Sequence, residues 1–535
     1  MRRRTLAAVI PAMLLFCGAA RAEDPAACEA QHDIDKYALL RRLSLDLRSR
    51  IPTIEEYEAL DDVDDVPLDT IQSYLEGDEF RRTMRQYHEQ LFWPNITPAK
   101  IHDVETLLTD TKETYAWRIY SGVRTKTLRG HANAGCLDYE QTHFDPAYPG
   151  EFRPDPAFVQ VDADGYKHEG WRNVHPFWSE DPSFTIKVCA YDAQETVASK
   201  SGNTTVDCAS IAGRKLQECG CGPGLQSCYP TQFRVDNAVK ASLREQLDLL
   251  VDTVTVGGKP YTDLLLSTKA MQDGKIAFWK RHLAPSAELN ITYNAPDPTE
   301  QITDKAWFDD TWTEVDRGPL HAGVLTLPIY LLRFQTNRSR GDRFRVNFMC
   351  QYFIPPEKLN PEAGCSESDP DITKRCNCQY CHKILEPLAS HFATFAEAGT
   401  TVMTDESLFK KHDDSCADGT PTQFCKRFYV TQPDAHNAGA LLPYQFSDNH
   451  PEYVDNIEKG PRALAEETIA SGAFAQCAVK RVFSHFHKRD MAVLGDDTDE
   501  LELLDKLAKE FAESNYDLRQ LVLRVVTLPQ YRRIH

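Results

Sequence analysis

The amino-acid sequence predicts a mainly α protein interrupted by one cysteine-rich insertion of loops and short strands. Two observations carry that expectation. Near both ends of the 535-residue chain, apolar residues recur at three- and four-residue spacing, as one face of a helix requires. Between about 128 and 235 the texture changes: Gly, Pro, Asp and aromatic residues dominate, and Cys136, Cys189, Cys208, Cys219, Cys221 and Cys228 are scattered through the stretch.

The chain opens like an export signal, assigned here to 1–22. Arg2, Arg3 and Arg4 precede an apolar run from Leu6 to Ala20, and Ala20-Arg21-Ala22 offers the small-x-small pattern of signal cleavage. A membrane anchor would need a longer run before Glu23-Asp24. A lipoprotein signal at Cys17 is disfavoured by bulky Phe16. An N-terminal helical module then fills 23–127. Tyr37, Leu40, Leu43 and Leu47 mark its first helix, and Thr53-Ile54-Glu55-Glu56 is a capping box for the second. Phe80, Met84, Tyr87 and Leu91 share a face of a third, which Pro94 closes.

The disulfide-rich insertion occupies 128–235. Within it Cys208, Cys219, Cys221 and Cys228 lie so close that at least one local bridge is expected, and Cys416 with Cys425 offers another small loop. A helical module at 236–310 follows, with periodicity expected to run to about 275 through Leu243, Leu247, Leu250 and Val254. Residues 311–405 form a cofactor-binding module, 406–460 a loop-rich connection and 461–535 a C-terminal helical module. Its helices carry Phe474, Cys477 and Val482, then Leu504, Leu507 and Phe511, then Leu518, Leu521 and Val525, with a stop at Pro529.

Composition narrows the partners. The formal charge is −20, and the leader holds four arginines and no acid, so the exported part is more acidic still. Such a surface argues against nucleic acid or anionic lipid as the main partner. No apolar stretch beyond the leader is long enough to span a membrane. Sixteen cysteines suit an oxidising, exported setting: periplasm, cell envelope or outside the cell.

The chemistry lies at Cys378-Gln379-Tyr380-Cys381-His382, the C-x-x-C-H pattern of c-type haem attachment. Two thiols at this spacing reach the two vinyl groups of one porphyrin, and His382, directly after the second, serves as the iron's proximal ligand. Three other readings compete. The pattern arises by chance in some cysteine-rich chains; Cys376, Cys378, Cys381 and His382 could hold zinc; or the thiols could form ordinary disulfides. The export signal favours one covalent haem c. Setting aside Cys378 and Cys381 leaves an odd number of cysteines beyond the leader, so one of those is unpaired or otherwise used.

The flanks carry a family resemblance. His321-Ala322-Gly323-Val324-Leu325-Thr326 leads to Asn347-Phe348-Met349-Cys350-Gln351, then Pro355-Pro356, the motif, Ile384-Leu385-Glu386-Pro387-Leu388, and Phe392 to Gly399. This order resembles the planctomycete-type cytochrome c proteins, a largely uncharacterised group of exported bacterial haem proteins. Leu40 to Leu47 with Ile51-Pro52-Thr53 resembles the group's opening module, and Phe511 to Leu518 its closing one. The resemblance touches about half the chain and does not extend to the insertion. Glu386 stands for the family's usual aspartate, Ala389-Ser390-His391 for a gly-phe stretch, and Ala396-Glu397 for phe-asp. The resemblance implies helical modules around one haem, and no known substrate.

What an iron does here depends on its sixth ligand. Met403, Met491 and Met349 are the candidates, alongside a histidine or no ligand. His391 is a core residue or a propionate partner, and His485 with His487 is a weak metal signal. Asp162-Ala163-Asp164-Gly165 begins like a calcium loop, but Asn173 stands where the bidentate acid belongs. No hydrolase nucleophile, phosphate loop or zincin motif is present. Three functions follow. The first is a monohaem electron carrier with a redox partner protein. The second is a haem enzyme of peroxidase or oxidase type. The third is a polymer-binding protein whose insertion presents Trp171, Phe177 and Trp178, with a structural or sensory haem.

Overall fold

Helices form where periodicity and caps agree. The computed structural model describes residues 33–533 except 103–106, 110–114, 120–134, 151, 166, 209–212, 214–215, 217–218, 285–293, 355–363, 404–408, 419–420, 446 and 494–497. The expected signal peptide, Cys28, Pro355 and Pro356 lie outside the described residues. Asp35 accepts from the Ala38 amide and opens α1 (Lys36–Arg48), which buries Leu39, Leu40, Leu43 and Leu47. The expected capping box starts α2 (Ile54–Glu58): the Glu56 amide donates to the Thr53 hydroxyl, and the Thr53 amide to the Glu56 carboxylate. Next come α3 (Leu68–Tyr74) and α4 (Gly77–Phe92), which turns out of the helix at left-handed Trp93 ahead of Pro94.

The insertion is built of short pairs. β1 (Leu107–Leu108) runs parallel to β8 (Tyr229–Pro230). Three antiparallel pairs lie between them: β2 (Gln160–Val161) with β3 (Lys167–His168), β4 (Trp171–Val174) with β5 (Ile186–Cys189), and β6 (Ala198–Ser201) with β7 (Thr204–Asp207). So small a core needs staples. Cys136–Cys189, Cys208–Cys219 and Cys221–Cys228 supply them, and the last two are the local bridges expected among those four cysteines. Phe177 stacks on Phe278 at 4.2 Å and meets Trp307 edge-on, while Trp178 packs on Phe233. Phe177 thereby joins the insertion to the main body, and Trp178 packs against the same core. Trp171 is half-buried beneath the Lys187 ammonium.

α5 (Val235–Thr255) carries Leu243, Leu247, Leu250 and Val254 on its buried face. The helix stops there, short of the expected 275, because Gly257, Gly258 and Pro260 follow. A short α6 (Asp263–Leu266) gives way to β9 (Lys269–Gln272), paired antiparallel with β10 (Thr313–Asp316). α7 (Gly274–Phe278) runs into a π turn at Trp279–Leu283. The remaining helices are α8 (Pro328–Arg333), α9 (Asn337–Met349), α10 (Gln379–Ser390), α11 (Gln423–Phe428), α12 (Pro451–Ala470), α13 (Ala473–His487), α14 (Thr498–Glu513) and α15 (Leu518–Val526). The last three match the expected C-terminal helices. Against strands of two to four residues, these helices make the chain mainly α. Among the described residues no helix is long and apolar enough to cross a membrane.

One core joins both ends of the chain: Leu40, Phe80, Leu247, Phe344, Val479, Phe511 and Val525 belong to a single cluster. The Tyr531 hydroxyl donates to Asp46 at 2.7 Å, tying the C-terminus to α1. His88 sits in this core, 1% exposed, between the Met84 carbonyl at 2.8 Å and the Tyr261 hydroxyl at 3.0 Å. Burial pushes its pKa down to about 4. The unfolded chain therefore binds a proton that the folded one refuses. Stability from this group is full above about pH 6.5 and drains away as pH falls towards 4, by about 3 kcal/mol. Urea titrations across that window should show His88→Gln with a shallower acid loss than wild type. Equal slopes would refute the assignment.

Candidate functional site

The C-x-x-C-H residues form the first turn of α10. Cys378 is the N-cap, and its carbonyl accepts from the Cys381 and His382 amides at 3.1 and 3.0 Å. The approach to this turn is rigid. Cys365–Cys376 closes the preceding loop, and Arg375 donates to the Asp369 carbonyl. Asp371, almost fully buried, accepts from the Thr373 amide and hydroxyl, from His450 at 2.9 Å and from Lys374. Burial pulls the Asp371 carboxyl upward, but these donors outweigh it and hold its pKa at about 2.

All fourteen described cysteines have a clear state. Twelve form six disulfides, and Cys378 and Cys381, both half-buried, are the two free thiols. Cys416–Cys425 is the small loop expected from sequence. Two competing readings of the motif lose ground. Cys376 is consumed by Cys365, so the proposed zinc set lacks a ligand. The motif's own thiols form no disulfide.

One turn along the helix, Glu386 faces His382. The His382 Nδ1 lies 2.6 Å from Glu386 Oε1, and Arg338 of α9 grips the same carboxylate, with Nε at 2.5 Å from Oε1 and Nη2 at 3.2 Å from Oε2. Glu386 is only 8% exposed in its side chain. With Nδ1 engaged, Nε2 is directed away from Glu386 and is the nitrogen left for a metal. Helix packing permits this proximity: a Cβ on Gly341 of α9 would come within 3.1 Å of the Ala389 amide of α10.

Past α10 the chain turns back, pinned from inside by Arg340. This fully buried guanidinium donates to the carbonyls of Phe334, Leu331, Phe395, Ala396 and Gly399 and to the Asn337 side chain. The clamp shapes the 395–402 turn that delivers Met403, whose amide donates to the Thr394 carbonyl at 2.7 Å. Met403 lines a solvent-open cleft together with Glu386, Arg338, Arg427, Phe428 and Tyr453. Met491 is buried in the main core and Met349 packs against it. His391 is a core histidine, 5% exposed, bonded to the Gly460 carbonyl at 3.1 Å. His487 stacks on Phe483 and His485 meets Tyr87 edge-on, so both serve packing.

Sequence reasoning named Cys378, Cys381 and His382, and the structure leaves both thiols free. It missed Arg338 and Arg340, whose partners lie far along the chain. It noted Glu386 as a departure from a pattern, although the four-residue spacing from His382 already puts both on one helix face. Compared with protein-family models, curated proteins and solved structures, the chain matches none.

Proposed function

We propose that the protein is an exported monohaem c-type cytochrome that transfers electrons in the periplasm or cell envelope. Cys378 and Cys381 would hold the porphyrin as thioethers, and His382 would bind the iron through Nε2. One observation carries the reading: in a chain whose other described cysteines are all oxidised in pairs, the two left as thiols are those of C-x-x-C-H. The donor set fits the group, since His382 is oriented and its second nitrogen satisfied by Glu386. When bound, such a haem supplies a one-electron Fe(III)/Fe(II) couple. The acidic surface suits a basic redox partner. The order of motifs that resembles the planctomycete-type cytochrome c proteins supports the same reading.

Expressed with a c-type maturation system, the wild-type protein should keep its haem peroxidase stain through a denaturing gel. Stain removed by acid-acetone extraction would overturn the proposal.

A haem enzyme is the second reading, favoured by the cleft beside Glu386 with Arg338 and Arg427 in its wall. Ligand binding separates the two. A carrier with a methionine opposite His382 shows the weak near-infrared sulfur-to-iron band and resists low cyanide. Met403→Ala would then open the site if Met403 is that ligand, and Met349 and Met491 are tested the same way. High-spin iron that binds cyanide readily selects the enzyme.

A further inference from the structure

The bond at the back of His382 is to a carboxylate, and that sets the character of the metal in front. Resting on the reading that His382 binds haem iron, we infer that Glu386 is a positioning residue that gives this haem a low reduction potential. The charge-assisted bond at 2.6 Å pulls the Nδ1 proton towards Glu386 Oε1 and makes the imidazole a stronger electron donor through Nε2. A stronger donor stabilises Fe(III) over Fe(II). Because the Glu386 side chain is 8% exposed, solvent screens its charge weakly. Arg338 holds both carboxylate oxygens, which fixes the plane of the carboxyl group and, with it, the imidazole. Its positive charge opposes the carboxylate's effect, but its side chain is 41% exposed and better screened.

The two residues therefore act in opposite senses on one couple. The consequence for function is that the couple lies lower than the same axial ligands would give with a neutral partner at Nδ1, so the haem draws on a more reducing electron donor.

Redox titration of the matured holoprotein tests this. Glu386→Gln keeps a hydrogen bond without the charge. The ferrous-to-ferric ratio at a fixed poise should rise at least tenfold, a midpoint about 59 mV higher for one electron. Arg338→Gln should move the midpoint the other way. A residue with a merely structural role would not give shifts of opposite sign. A midpoint unchanged or lowered by Glu386→Gln overturns the inference. If that variant fails to mature, Arg338→Gln decides alone: a lower midpoint supports it, an unchanged or higher one overturns it. Failure of the haem reading itself is seen earlier and separately, as a wild-type gel without covalent stain.

Discussion

With Cys378 and Cys381 both changed to alanine, the protein should leave a c-type maturation host with no covalent haem. Its gel stain should be lost altogether, and its intact mass should fall by one haem beyond the two sulfur atoms. Single variants should keep one thioether and part of the stain. The expectation rests on position. Both thiols are half-buried in the first turn of α10, neither has a disulfide partner, and each lies within one turn of His382. The fold should survive, because no core contact depends on either sulfur and six disulfides remain. Substitutions at partly exposed positions usually change stability by about 0.5 kcal/mol or less. The double variant should therefore unfold in urea like the wild-type apoprotein. Stain retained by the double variant would defeat the haem proposal outright.

What could be read from the sequence was what local chemistry decides. The capping box at Thr53 and Glu56 needs only residues three apart, and it formed as expected. That a local bridge would form among Cys208, Cys219, Cys221 and Cys228, and one between Cys416 and Cys425, was legible for the same reason, whereas the pairings among the four were not, nor was Cys365–Cys376 at a similar spacing. The end of α5 at Thr255 was also written locally, in Gly257, Gly258 and Pro260, but the apolar periodicity beyond it concealed the signal. Contacts across the chain left no such mark. Arg338 reaches Glu386, and Arg340 the 395–399 turn, only because Gly341 lets α9 lie against α10. Phe177 looks the same in sequence whether it faces a polymer or Phe278, and Trp178 whether it faces a polymer or Phe233. At the candidate site the thiols and His382 could be named from spacing, while the carboxylate and guanidinium behind them required the packed helices.

The largest loss of stability is expected from the one bridge that spans the module. Cys350–Cys477 joins the end of α9 to α13 across 127 residues, with Cα atoms 5.2 Å apart. Asp371, the C-x-x-C-H turn, Glu386 and Met403 lie inside this loop, while Arg338 and Arg340, which hold them from α9, lie just before it. Cross-linking two points so far apart removes much of the unfolded chain's freedom, worth about 5 kcal/mol in the chain-entropy account. The nested bridges Cys365–Cys376 and Cys416–Cys425 shorten the effective loop, but the dependence on length is logarithmic and alters this by only about 0.2 kcal/mol. Cys350 also holds a left-handed backbone, φ 53°, as the cap of α9, a conformation unfavourable for a side chain and maintained where the surroundings fix it. Cys350→Ala with Cys477→Ala should lower the stability measured in urea by about 5 kcal/mol, roughly twice the loss that the same account gives for breaking Cys416–Cys425. Haem attachment should persist in the variant at low temperature, because the thiols and His382 depend on the α9–α10 contact and not on this bridge. An unfolding free energy within about 1 kcal/mol of wild type would mean that the shared core of α9 and α13 already confines the loop, and that the unfolded chain is compact enough for the link to be redundant.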